Sequence, residues 1–174
     1  KLRKAFIVGI KGKKIKKKEI NFLKKYKPWG VILFSRNIYT LKQTKRLTKS
    51  IREIFKDKYY PILIDEEGGK VSRLNKLIDT SMFSAKYFGD LFYNDKKKFY
   101  LYYNVYIKQI SNLLNILGIN LNTVPVLDIF RKNSHKIIGD RSFSSNKNIV
   151  SKVGVFCINQ FHKNKIGTII KHIP

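Results

Sequence analysis

Four short apolar runs in this sequence are each followed at once by side chains able to do chemistry. GVILF (30–34) leads into Ser35-Arg36-Asn37, PILI (61–64) into Asp65-Glu66-Glu67, VPVL (124–127) into Asp128, and GTII (167–170) into Lys171-His172. Carboxylates accept hydrogen bonds, guanidinium and ammonium groups donate them, and imidazole does either, so such groups gathered in one place make a polar binding site. Arg73 follows the acidic triplet across Gly68-Gly69, a pair free to adopt the left-handed turn that folds the chain back. Asp140-Arg141 adds a further charged pair.

The elements that must position these groups read as alternating strands and helices. The four runs, together with an apolar stretch at 5–10, have strand length, and three of them are rich in Val and Ile. Between them, 41–55 sets Leu47, Ile51, Ile54 and Phe55 on one helical stripe with Thr40 as its N-cap. A long aromatic and aliphatic helix over 99–117 stops at Gly118, a left-handed C-cap, and its aromatic run packs on the strands. A third, over 148–162, spaces Ile149, Val153, Phe156, Cys157 and Phe161 by three and four residues, with Ser144 or Ser145 at its entrance. The stretch 75–95 reads as a surface connection with a short helix. Strand–helix alternation implies parallel strands and an α/β fold, whose ligands sit at the carboxyl ends of the strands. Glu66 and Glu67 are neighbours on an extended segment and point to opposite sides, so they are expected to structure the loop rather than act as an acid/base pair.

Composition narrows the class. A chain of 174 residues is the size of one domain, and no linker or repeat divides it. With 43% hydrophobic residues it has the material for a core, and generic disorder is excluded. Cys157 stands alone, which rules out an internal disulfide and fits a reducing cytoplasm. No apolar stretch reaches a membrane span, and the basic start is too short-lived for an export signal. His135 and His162 lack partners at metal-ligand spacing, so neither a metal nor a cofactor is expected. The net charge of +26 suggests nucleic acid, but its lysines are spread along the whole chain and no nucleic-acid module is present. A compositional bias on the surface explains it, and no specific nucleic acid and no membrane are expected as partners.

GVILFSRN (30–37), IDEEGGKVSRL (64–74), GINLNTVPVLDI (118–129), IGDRSFSSN (138–146) and KHIP (171–174) occur in the order found in family 3 glycoside hydrolases. The chain resembles most the β-N-acetylglucosaminidase branch of that family. The resemblance implies the N-terminal part of a (β/α)8 barrel, incomplete in this chain. It also implies a cytoplasmic enzyme of peptidoglycan recycling that removes terminal β-linked N-acetylglucosamine with retention, through a glycosyl-aspartate intermediate. The family's histidine/aspartate acid/base loop follows KHIP and its nucleophile lies further on, so the 174 residues by themselves are expected to be inactive.

Carried over residue by residue, the resemblance makes Asp65, Arg73, Arg141, Lys171 and His172 the sugar-binding groups. Asp65 would accept bonds from neighbouring hydroxyls, the alternative being a helix cap or a partner for Lys or Arg. Arg73 would hold a hydroxyl or a carboxylate, or brace Asp65. Arg141 would reach the sugar or form a surface ion pair, with Asp140 orienting its loop. Lys171 and His172 would donate to ring hydroxyls, and Asp128 would line the rim or hold a lysine. Five strands cannot close an eight-strand barrel, so self-association over an open edge and inner face is expected. A non-catalytic carbohydrate-binding remnant and a β-glucosidase-type relative remain as alternatives.

Overall fold

The computed structural model describes residues 2–131 and 138–172. Lys1, the loop histidine His135, and Ile173 and Pro174 of the KHIP block lie outside the described residues. Parallel strands β1 (Lys4–Gly9), β2 (Pro28–Leu33), β3 (Ile62–Ile64), β4 (Leu121–Asn122) and β5 (Gly167–Thr168) lie side by side in chain order. Helices α1 (Lys17–Tyr26), α2 (Leu41–Phe55), α3 (Ala85–Asn94), α4 (Lys96–Leu117) and α5 (Lys147–Lys163) occupy the connections. A sheet whose every neighbour is the next strand in sequence, with helices between, is part of a (β/α) barrel wall.

Local chemistry accounts for the helix boundaries. Thr40 Oγ1 accepts the Gln43 N–H at 3.2 Å and opens α2, which buries Leu47 and Ile51 while Ile54 and Phe55 pack beside the core. Gly118, at φ 73, ends α4 in the left-handed conformation that only glycine adopts without strain. α1 was not legible as a helix in the lysine-rich sequence, because Leu23 is its one buried residue and its apolar stripe is thin. Two other expectations change. The run 124–127 is not a strand: the ladder forms at Leu121–Asn122, Pro125 has no N–H to give, and Val126 makes only an isolated bridge to Lys171. The entrance of α5 is capped by Asn146, whose side chain accepts the Asn148 N–H at 2.9 Å, rather than by Ser144 or Ser145.

The two faces of the sheet differ. Val31, Leu33, Ile62 and Ile64 point to the helices and join a core with Leu47, Ile51, Phe88, Phe99, Ile107, Leu114, Val153 and Phe161. On the opposite face a single row crosses all the strands, Gly9–Ile32–Leu63–Leu121–Gly167. Glycines shape this side: a Cβ on Gly167 would lie 2.5 Å from Leu121 Cδ2, and one on Gly30 would lie 2.8 Å from Leu63 Cδ1. By strand alternation, Asp65 and Thr123 stand one step above Leu63 and Leu121, so an apolar floor lies beneath the first polar groups of the rim. Among the described residues β1 pairs only with β2 and β5 only with β4, and Ile7 on β1 is 43% exposed.

One close approach ties a helix to the segment carrying Arg141. A Cβ on Gly89 of α3 would lie 1.7 Å from the carbonyl oxygen of Phe143. Alanine would gain about 1 kcal/mol of helix propensity over glycine, but a backbone clash of that severity outweighs it. Gly89→Ala is expected to lose about 1–3 kcal/mol in urea unfolding, while Gly12→Ala, which meets nothing within 4 Å, stays within about 0.5 kcal/mol of the parent. Equal midpoints for the two variants would show that this packing is not required.

Candidate functional site

The turn after β3 builds the site. Asn122 Oδ1 accepts the Glu66 N–H at 3.0 Å and its Nδ2 donates to the Glu66 carbonyl at 2.9 Å, so a side-chain amide continues the ladder where β4 ends. The chain then reverses at Gly68 (φ 78) and Gly69 (φ 60), where Gly68 lies so close to Phe83 that a Cβ would stand 2.2 Å from its carbonyl oxygen. Glu66, 2% exposed, points back under this loop. Its Oε2 accepts Ser72 Oγ (3.0 Å), Arg73 N (2.8 Å) and Leu74 N (3.1 Å), and its Oε1 accepts Thr80 Oγ1 (3.0 Å). Burial pushes the Glu66 carboxyl above the ordinary glutamate range, against the pull of those four donors. Glu66 therefore has the loop-structuring position expected from the sequence.

Alternation sends Asp65 and Glu67 the other way, onto the inner face. Lys171 Nζ lies 3.1 Å from Asp65 Oδ1, 2.8 Å from Thr123 Oγ1 and 2.6 Å from Glu67 Oε1. Thr123 in turn donates to Asp65 Oδ1. Arg73 Nη2 stands 3.6 Å from Asp65 Oδ2, outside hydrogen-bond reach but within ion-pair range, and its guanidinium lies 5.8 Å from the Phe34 ring centre. Arg141 grips Glu67 with two parallel bonds, Nε to Oε2 at 2.8 Å and Nη2 to Oε1 at 2.9 Å. His172 Nδ1 is 2.7 Å from Asp128 Oδ2.

Three of the five expected site residues, Asp65, Arg73 and Lys171, thus meet directly, and Arg141 joins them through Glu67. His172 stands next to Lys171 but bonds to Asp128, whose charge also acts on Arg141. Glu67, expected to structure the loop, faces this cluster instead, and Thr123 and Asp128 belong to it as well, beyond the five expected residues. Period-two spacing from Asp65 would have found Glu67, and the Asn122-Thr123 pair becomes visible once β4 is placed two residues earlier. Ser35-Arg36-Asn37, by contrast, staples strand ends: Asn37 Nδ2 donates to the carbonyls of Ile10 (3.1 Å) and Gly12 (2.9 Å), and Arg36 Nε to Ile10 (3.0 Å).

Burial would raise the Asp65 carboxyl, but the Thr123 hydrogen bond, the Lys171 ammonium and the Arg73 guanidinium together hold it below the usual carboxylate range. The two hydrogen bonds to Glu67 push the pKa of the Arg141 guanidinium up against its own burial. Such a site presents fixed charge-assisted donors and one carboxylate oxygen, Asp65 Oδ2, beside a solvent-open rim. It suits a neutral ligand rich in hydroxyls. Among the described residues no three His, Cys, Asp or Glu side chains gather as metal ligands, and no helix is long and apolar enough to cross a membrane.

A polar cluster at the carboxyl ends of parallel barrel strands is the active-site position of (β/α)-barrel enzymes. Residues 2–174 match the Glycosyl hydrolase family 3 N terminal domain, and the chain belongs to that family. It is 31% identical over 168 residues to a β-hexosaminidase of Actinobacillus pleuropneumoniae, covering 97% of this chain and 47% of that protein. It is 30% identical over 156 residues to β-hexosaminidase A of Pseudoalteromonas piscicida, covering 87% and 26%. The fold superposes on NagZ from Neisseria gonorrhoeae with a TM-score of 0.87 at 24% identity, over 99% of this chain and 49% of that one. A family 3 β-N-acetylglucosaminidase from Paenibacillus sp. gives 0.83 at 25%, over 97% and 31%. The chain spans half or less of the length of these relatives.

Two outcomes check this electrostatic account. Glu66→Gln sets an amide that cannot accept on one side against the buried donors, and a loss of about 1–3 kcal/mol in urea unfolding is expected; an unchanged midpoint would contradict the donor count. Because the Asp65 carboxyl is depressed on folding, it contributes stability above its unfolded value and loses it as pH falls through the lower folded value. Asp65→Asn should therefore flatten the acid limb of stability below about pH 4, read as melting temperature against pH. Superimposable acid limbs would mean that the Lys171 and Thr123 contacts do not act on this group.

Proposed function

We propose that this chain forms the sugar-recognition part of a retaining glycosidase that removes terminal, non-reducing β-linked N-acetylglucosamine. The observation that carries the reading is the state of Asp65. Its Oδ1 is engaged by Thr123 and Lys171, while Oδ2 faces Arg73 at 3.6 Å, a gap that a ligand hydroxyl can bridge. The β-hexosaminidases that this chain is similar to support a hexosamine, and the Paenibacillus β-N-acetylglucosaminidase supports N-acetylglucosamine as that sugar. In this reading Asp65, Arg73, Arg141, Lys171 and His172 bind substrate, and no metal or cofactor takes part. The bond-breaking groups come from the portion of such enzymes beyond the matched half. Peptidoglycan fragments are the substrate class and the cytoplasm the compartment. Further strands, from the rest of such a barrel or from a second copy, cover the edges of β1 and β5.

Titrating the chain with N-acetylglucosamine, followed by ¹H–¹⁵N chemical shifts, tests the proposal. Saturable shifts around residues 65–73 and 171–172 are expected, with glucose weaker. Asp65→Ala removes at least one charge-assisted bond, and each such bond is worth about 1.5–3 kcal/mol, so affinity should fall by about tenfold or more. No turnover of an aryl N-acetylglucosaminide by the 174 residues alone is expected. A folded chain whose spectrum ignores the sugar would end the proposal.

A further inference from the structure

His172 and Asp128 form a pair whose protons can be counted. Nδ1 of His172 lies 2.7 Å from Oδ2 of Asp128, and an ionised carboxylate only accepts, so Nδ1 must carry the hydrogen. Both partners are held by backbone. The Leu127 N–H donates to the Lys171 carbonyl at 2.7 Å and the Lys171 N–H to the Pro125 carbonyl at 3.2 Å, which runs the two segments side by side. Ser142 Oγ lies 2.5 Å from the Asp128 carbonyl oxygen and 3.1 Å from that of Ser144, so its single hydrogen ties the loop from its other side. The carboxylate side chain is 20% exposed and the imidazole 49%, so the ring is anchored at one nitrogen while about half of the side chain stays open to solvent. Charged groups near the pair are the Lys171 ammonium next in sequence and Arg141, which feels the Asp128 charge.

We propose that Asp128 is a positioning residue that holds His172 in its Nδ1–H tautomer, so that the neutral ring presents Nε2 as a hydrogen-bond acceptor toward the ligand. This rests on the sugar site proposed above and sharpens it. The family resemblance makes His172 a donor to ring hydroxyls, whereas this geometry makes it the acceptor of an O–H or N–H. The sugar group opposite the imidazole is then a hydroxyl that gives its proton. Asp65 Oδ2 and His172 Nε2 are two acceptors, and a polyol has donors for both.

Long-range ¹H–¹⁵N correlation on the uniformly labelled chain reads the tautomer of each of the 3 histidines, with His172→Gln assigning the signals. In the neutral ring, His172 is expected as Nδ1–H with an unprotonated Nε2. Asp128→Ala should release the ring to a mixture of tautomers and weaken N-acetylglucosamine binding by about tenfold. An Nε2–H form in the parent protein, which needs no variant, overturns the proposal, as does an unchanged tautomer in a folded Asp128→Ala protein. If the parent shows the expected tautomer but no sugar binds, the sugar-site reading fails while the Asp128–His172 pairing stands.

Discussion

The ammonium of Lys171 is where three strand ends are joined. It follows β5, and its partners follow β3 (Asp65 and Glu67) and β4 (Thr123), so one positive charge draws together segments more than forty residues apart in sequence. Placing that charge between two part-buried carboxylates offsets a repulsion that would otherwise force Asp65 and Glu67 apart. The Lys171 and Glu67 side chains are only 16% and 4% exposed, so the pairing is formed largely out of water, where an unpaired member would be costly. The site is thus part of what closes this end of the sheet, and its geometry and the fold's stability depend on the same contacts.

The acidic residues are informative because they are scarce. The chain has 11 Asp and Glu against 37 Lys and Arg, yet Asp65, Glu66, Glu67 and Asp128 all lie at this rim. Surface drift toward lysine can supply cations anywhere, as the broad spread of basic residues shows. It cannot gather carboxylates. Asp65 and Glu67 pair with three cations here, Arg73, Arg141 and Lys171, and the Asp128 charge also acts on Arg141, so opposite charges offset one another within a strongly positive molecule. That local compensation fits an uncharged polar ligand better than an anionic polymer.

Much of this was legible in the sequence, and the exceptions have physical causes. Strand ends could be read because a buried parallel strand is a short apolar run and the first polar residue after it marks the rim, as at Ile64-Asp65. Helix α2 could be read to the residue from the Thr40 cap and its apolar stripe. β4 was misplaced because its apolarity continues through Val124–Pro125–Val126 after the ladder has ended; proline and a rim-facing threonine, not hydrophobicity, set that boundary. α1 was hidden because one buried leucine makes no period. The pairings of Glu67 with Arg141 and of Asp128 with His172 were not legible at all, since they depend on which way each side chain points after the regular strand stops. Direction, more than identity, is what the linear sequence leaves out.

Counting hydrogens on Lys171 shows how such a site must respond to a ligand. An ammonium has three N–H groups; Asp65 and Thr123 accept from two of them, and Glu67 Oε1 stands 2.6 Å away as an ion-pair partner. In the proposed site a sugar hydroxyl accepting from Lys171 would compete with these three contacts, and they are not equivalent. Releasing Asp65 or Thr123 disturbs the bond between those two as well. Releasing Glu67 leaves that carboxylate still held by two bonds from Arg141 and therefore still paired. The Glu67 contact is the one whose exchange would leave least unsatisfied, so in the proposed site Arg141 would keep Glu67 neutralised while Lys171 turned to a ligand.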